Sequence, residues 1–274
     1  MKIGFDAKRA FQNTTGLGNY SRGVIQCLSK SSNYRLILFS PKLKNSVFKN
    51  LPERVKKITI SAPFSNIKRL LGPSKKHHLD IYHGLSNELP LLKHSKMIVT
   101  IHDLIFKSHP KYYKRIDRWI YHLKTKNAIK QADLIICTSQ QTADALDFYY
   151  PNKKSKKVVY QHCSWEKVEV STPLIQKDYI LYVSSFEGRK NHLNLLKAFK
   201  EVAQETNHAL LLVGRPKETL KQVKEFIQAN GLVNKVIIKP DAKLAEIKNY
   251  LQNAIGFIYP SLIEGFGIPL IEAM

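Results

Sequence analysis

Residues 259–274 read YPSLIEGFGIPLIEAM, and the reading of this stretch decides the fold. The run that leads into it, AIGFIYP, has the unbroken apolar character of a buried strand. Ser261, Glu264, Gly265, Phe266 and Gly267 follow as a glycine-bearing turn. Pro269 suits the first turn of a helix, where its missing N–H would have no partner anyway, and Glu272 sits just inside that helix. A strand, a turn and a helix start bring backbone N–H groups and the positive end of a helix dipole to one spot, which favours an anion such as a phosphate. Two carboxylates flank the turn and can accept hydrogen bonds from hydroxyls. A ligand with hydroxyls at both ends and phosphates between suits such a site. The plainer alternative is a strand–turn–helix corner with two solvated glutamates.

Upstream, strands and helices alternate. DYILYVSS (178–185), ALLLVG (209–214) and VIIKP (236–240) read as strands; HLNLLKAFKEVAQE, KETLKQVKEFIQAN and KLAEIKNYLQNA read as helices between them. This is the series of a Rossmann-like sheet. FEGRKN joins the first strand to the first helix and sets Arg189 and Lys190 beside a helix N-terminus, an anion site with added positive charge, or else a solvated basic turn. Residues 164–177 lack periodicity, contain Pro173 and read as a linker.

The first half has its own strand series: MKIGFD, RLILFS (35–40), KKITIS (56–61), LDIYHG (79–84), KMIVTIHD (96–103), ADLIICTS (132–139) and KVVYQHC (157–163). Gly16 and Gly18 lie in a loop that opens a helix, without the third glycine of a dinucleotide fingerprint, since Ser21 stands there. His102 and Asp103 fall at the carboxyl end of a strand, where ligands of open α/β sheets collect. In the helical stretch 108–131, Tyr112, Ile116, Trp119 and Leu123 form a stripe among lysines and arginines; packing of the stripe on its sheet is the preferred reading over a membrane-surface helix. The expected architecture is α/β with two Rossmann-like domains, 1–163 and 178–274, joined by 164–177.

Charge divides the same way. The net charge is +23; residues 1–170 carry 31 Lys and Arg against 11 Asp and Glu, residues 171–274 carry 13 against 10. Such a split suggests that one domain faces a polyanion (anionic lipid, nucleic acid or a charged glycan), or else carries a solubilising basic surface; an anionic membrane surface is the expected partner, and no recognised nucleic-acid motif accompanies the charge. Cys27, Cys137 and Cys163 are too few and too scattered for a disulfide framework or a zinc ribbon, which fits a reducing cytoplasm. MKIGFDAKRAF is not a signal peptide, and no run has the length of a membrane-spanning helix.

EGFGIPLIEAM resembles, nearly letter for letter, the two-glutamate motif of retaining glycosyltransferases of the GT-B fold, sequence family 4 (group 1). IHDLIF followed by Pro110 is similar to that family's acceptor-side histidine motif, and GRKN before a helix is similar to its diphosphate-binding motif, with Ser184 where the family usually has glycine. The resemblance implies a GT-B fold and donor binding at Gly16, Gly18, Arg189, Lys190, Glu264, Gly265, Phe266, Gly267 and Glu272, the last holding the nucleotide ribose. It implies catalytic roles for His102 and Glu264 beside the transferred sugar. The implied reaction moves a hexose, such as mannose, from a nucleotide-diphosphate sugar to a hydroxyl of a glycan or lipid-linked acceptor, in glycan, lipopolysaccharide or exopolysaccharide synthesis. No metal or other cofactor is expected: no Asp-x-Asp occurs, and no cluster suggests zinc. The family continues beyond the position matching Met274, so the second domain is expected to be incomplete and to need a complementing C-terminal segment. The alternative function is an inactive glycosyltransferase fragment acting as a binding or partner-dependent subunit. The expected location is the cytoplasm, peripherally on the membrane face.

Overall fold

The structure, a computed structural model, describes residues 1–41, 48, 55–60, 71–73, 77–93, 95–161 and 172–274. It divides into two compact units, Met1–Ser164 and Trp165–Met274. Most of the expected linker, and Cys163 with it, lies outside the described residues.

The first unit is built on a seven-stranded sheet of β1 (Lys2–Asp6), β2 (Arg35–Pro41), β3 (Val55–Ile60), β4 (Ile81–Gly84), β5 (Lys96–Ile101), β6 (Leu134–Cys137) and β7 (Ser155–Val158). All neighbours pair in parallel, in the order β3-β2-β1-β4-β5-β6-β7. Both faces of the sheet are covered. Leu36 and Leu38 of β2 join one core with Phe5, Phe11 and Ile25, while Ile37 and Phe39 join the other with Met97, Ile101 and Leu146. That is why the strands read as nearly continuous apolar runs rather than alternating ones. The strand order reverses between β1 and β4, which opens a crevice at their carboxyl ends.

The helices of this unit are α1 (Lys8–Gln12), α2 (Gly16–Ser29), α3 (Ile105–Ser108), α4 (Arg115–Gln131) and α5 (Gln140–Tyr149). Ser139 caps α5, its hydroxyl accepting from the Thr142 amide at 3.1 Å. The packing expected of the stripe in 108–131 is not what forms. Tyr112 lies in a separate 3₁₀ turn, Pro110–Tyr112, before α4 begins. Ile116, Trp119 and Leu123 are 66%, 63% and 43% exposed, and α4 is anchored instead by Thr125, Ala128 and Ile129 on its other side. The small Thr125 and Ala128 bring α4 close to the sheet beside Ile129, and Ile116, Trp119 and Leu123 are left facing outward.

The second unit carries β8 (Tyr179–Val183), β9 (Ala209–Gly214), β10 (Val236–Pro240) and β11 (Gly256–Phe257), parallel in the order β10-β9-β8-β11. Its helices are α6 (His192–Val202), α7 (Leu220–Ala229), α8 (Leu244–Gln252) and α9 (Ile268–Ala273). The run 254–260 is not the buried strand that its composition suggests. β11 pairs only with β8 among the described residues, both its residues are half-buried, and Ile255 is exposed. An edge strand is covered less than a central one such as β9, whose first five residues are buried. At Gly214 a Cβ would lie 1.7 Å from the Ser184 carbonyl oxygen, so glycine there lets the ends of β8 and β9 approach. Here too the order reverses next to the first strand, between β8 and β11.

Candidate functional site

The loops that leave β8 and β11 converge at this reversal. After β8 the chain makes a 3₁₀ turn, Gly188–Lys190, and Asn191, at φ +63°, redirects it into α6. The two loops are stitched by the Leu262 amide donating to the Arg189 carbonyl (2.9 Å) and the Asn191 side-chain amide donating to the Pro260 carbonyl (3.0 Å). Residues far apart in sequence thereby share one cluster. Arg189 Nη1 donates to Glu264 Oε2 at 3.0 Å, and Lys190 Nζ donates to Glu264 Oε1. The Tyr259 hydroxyl donates to the same Oε1 at 3.0 Å, and Arg189 Nε pairs with Glu187 at 3.1 Å. Tyr182 braces the cluster, donating its hydroxyl to the Lys190 carbonyl at 2.6 Å and lying 3.2 Å from Ser261 Oγ.

Lys190 is buried, at 7% exposure. Burial lowers its pKa, and Glu264 opposes that shift. Burial by itself would raise the Glu264 carboxyl, but Lys190 and Arg189 outweigh it and hold the group below the usual carboxylate range. The two cations expected to meet a diphosphate and the carboxylate expected to meet a sugar therefore neutralise one another in the ligand-free chain.

Glu272 is placed differently. It lies in α9, whose N-cap, Gly267, has φ +92°, a left-handed conformation that a side chain would strain. Burial pushes the Glu272 carboxyl up to about 7. Gly265 and Phe266 complete the turn between the two glutamates. At the head of α6, Ser184 Oγ lies 3.1 Å from Nε2 of the buried His192, whose ring stacks on Phe186 at 4.5 Å; a hydroxyl thus stands where the family usually has none.

The first unit has its own concavity at the carboxyl ends of β1, β4 and β5. It encloses about 180 Å³. Arg9, Asn87, His102, Asp103, Tyr121 and Lys124 are among its lining residues. His102 is buried, and burial lowers its pKa to about 4, with Arg9 adding to the shift. Its backbone is clamped: Asn87 Oδ1 accepts from its amide at 2.9 Å, and Thr138 and Thr142 donate to its carbonyl at 2.9 and 3.1 Å. Gly16 and Gly18 prove to be inside the first turn of α2. A Cβ at Gly18 would lie 1.8 Å from the Asn13 carbonyl oxygen, and the Gly18 amide is shared by Thr15 O and Asn13 Oδ1. The glycine is required there for packing against the preceding loop.

Sequence reasoning missed Tyr182, Tyr259, Ser261 and Glu187 around the cluster, and Asn87 and Gln161 around His102. Tyr259 borders the turn, Ser261 belongs to it and Glu187 lies in FEGRKN, so proximity could have flagged them; the others carry no local pattern. Among the described residues, no group of His, Cys, Asp or Glu could hold a metal ion, and no helix is long and apolar enough to cross a membrane.

Two Rossmann-like units, the second bearing basic and acidic side chains at its strand reversal, define the GT-B class of glycosyltransferase folds. Solved structures agree. Sucrose-phosphate synthase from Thermosynechococcus elongatus matches with a TM-score of 0.75 at 16% identity, covering 100% of this chain and 78% of that one. Anabaena HepE in complex with UDP-glucose matches with a TM-score of 0.71 at 16% identity and the same coverage. The family model described as Glycosyltransferase Family 4 matches residues 14–162, and that described as Glycosyl transferases group 1 matches residues 165–274. The chain belongs to glycosyltransferase family 4. The O-antigen chain mannosyltransferase B of Escherichia coli is 30% identical over 213 residues, 71% of this chain and 54% of that protein. The chain spans about half the length of the curated relatives it matches.

Proposed function

We propose that the chain provides donor and acceptor sites of a retaining glycosyltransferase that moves a sugar, mannose by analogy with its O-antigen relatives, from a nucleotide-diphosphate sugar to an acceptor hydroxyl in lipopolysaccharide or related glycan synthesis. The observation that carries this reading is the joining of Arg189, Lys190 and Glu264 across the strand reversal of the second unit. Breaking a glycosyl–phosphate bond leaves a diphosphate anion, and preorganised cations stabilise that charge without a metal. Glu264, released from its cations as they meet the phosphates, becomes an acceptor for sugar hydroxyls, and Glu272 an acceptor for the ribose. The relative solved with UDP-glucose supports a nucleotide-sugar donor. Calorimetry with UDP and GDP tests the site. Arg189→Ala loses a charge-assisted hydrogen bond, about 1.5–3 kcal/mol, and so weakens the preferred nucleotide about 10- to 100-fold. His102→Ala leaves nucleotide binding intact and reduces transfer. Unchanged affinity in Arg189→Ala would remove the donor-site assignment.

The exposed side of α4 favours a location for this chemistry. Ile116, Trp119, Ile120 and Leu123 stand exposed among Lys114, Arg115, Lys126 and Lys130, while Tyr121, Lys124 and Thr125 of the same helix line the concavity. Such a face suits an anionic lipid surface, with apolar side chains entering the headgroup boundary and each cation contributing about 1 kcal/mol. A lipid-linked acceptor would then be presented beside the His102 concavity. Co-sedimentation with phosphatidylglycerol vesicles is expected, falling with salt and lost in Ile116→Ser/Trp119→Ser. No binding to these vesicles at low salt would leave the face without a membrane role.

A further inference from the structure

The imidazole of His102 is engaged at both nitrogens. Nε2 lies 2.8 Å from the carbonyl oxygen of Leu85. A carbonyl oxygen only accepts, so Nε2 carries the proton. The ring, buried and held neutral, then offers a bare lone pair at Nδ1. Facing that lone pair at 3.2 Å is the side-chain amide nitrogen of Gln161, whose N–H donates to it. The reverse orientation of the amide would set two lone pairs against each other. The chosen one leaves the Gln161 amide oxygen buried with no hydrogen-bond partner among the described residues. Burying an orphaned acceptor is unfavourable, so this pose is held by what the other end of the amide does for His102.

The remaining neighbours do not replace it. Tyr20 meets the ring edge-on at 4.7 Å, but its hydroxyl is engaged with Thr100 Oγ1 at 2.9 Å. His83, also buried and neutral, is turned to the same Thr100 hydroxyl. Arg9 acts on the ring only as a charge at a distance, and Asp103 Oδ1 accepts from the Ile105 amide.

We propose that Gln161 is the positioning residue of His102, holding the ring in the Nε2-protonated tautomer with Nδ1 as its only exchangeable hydrogen-bonding atom. The longer Gln161 bond is the one a ligand displaces, so a sugar hydroxyl that meets this histidine donates to Nδ1 and does not accept from Nε2–H. The sugar contact rests on the proposed transfer; the hold on the ring does not, and it is tested separately. Nitrogen-15 NMR of the full chain reads the histidine tautomer and titration directly. In the wild type, His102 is expected as the neutral Nε2–H tautomer across the neutral range. Gln161→Glu puts an accepting carboxylate against Nδ1, draws a second proton onto the ring and moves its titration upward by about one to three pH units. The same variant should give transfer a new dependence on that titration in kcat, with the donor KM unchanged. Gln161→Leu removes the donor and should shift the His102 Nδ1 resonance to that of an unbonded lone pair. If Gln161→Glu fails to fold, the Gln161→Leu resonance decides alone. An unchanged His102 titration in folded Gln161→Glu, or an unchanged Nδ1 resonance in Gln161→Leu, overturns the proposal. A shifted resonance with no transfer in any form would sustain the hold on the ring and defeat the transferase reading.

Discussion

Glu264→Ala lowers the stability of the second unit by about 3 kcal/mol, the low end of the range for breaking a buried ion pair. The low end applies because the Glu264 side chain is 20% exposed, against 9% for Lys190 and 19% for Arg189. The loss comes from what is left behind. Lys190 remains buried without the Glu264 carboxylate, while Arg189 retains its ion pair with Glu187. Replacing Lys190 as well, in Glu264→Ala/Lys190→Met, removes the stranded charge and should restore much of the stability. A double-mutant cycle in urea, read by fluorescence, measures the coupling. Because the Glu264 pKa is lowered on folding, its contribution is present above the ordinary value of 4.5 and lost as pH falls through the folded-state value. Freeing two cations should also spare or strengthen binding of a bare nucleoside diphosphate, so stability and affinity move in opposite directions. A cost below about 1 kcal/mol, the range of surface pairs, would mean that solvent screens the cluster.

Nucleotide affinity is expected to rise with pH up to about 7 and then level off. The cause is Glu272, whose carboxyl is pushed up to about 7 by burial. A ribose hydroxyl donates to the ionised form and lowers that pKa in the complex, so binding releases a proton. Below about 7 the affinity then changes by up to about tenfold per pH unit, and by less once the pH falls through the pKa of the complex. Stability has the opposite sense. A raised carboxyl pKa favours the neutral folded form, so the ligand-free unit loses stability as pH rises from 4.5 to about 7, a window above that of Glu264. Calorimetry in buffers of different ionisation enthalpy detects the released proton, and Glu272→Gln should flatten the profile. A pH-independent affinity in the unaltered chain would show that Glu272 does not meet the nucleotide.

Much of this was legible in the chain. The central strand β9 coincides with ALLLVG, because a buried parallel strand is an uninterrupted apolar run bounded by turn residues, and the half-exposed edge strand β10 coincides with VIIKP. Glycine at 267 ahead of Pro269 marks a helix start by backbone chemistry alone. The outward face of α4 was not legible. A stripe of Ile116, Trp119 and Leu123 has the same helical period whether it meets a sheet or a lipid, and only the close approach of Thr125 and Ala128 decides which side is inside.

The sequence by itself determined the family, the two strand series and the residue types at the turn, since these depend on local pattern. The tertiary structure decided which charges meet. Arg189 and Glu264 stand 75 positions apart, and Gln161 and His102 stand 59 apart. Glu264 becomes the partner of Arg189 and Lys190 because β8 and β11 are neighbours in the sheet although two strands separate them along the chain. No local pattern encodes that adjacency. It follows from parallel strands needing crossover helices, which carry the chain away and return it beside its own beginning.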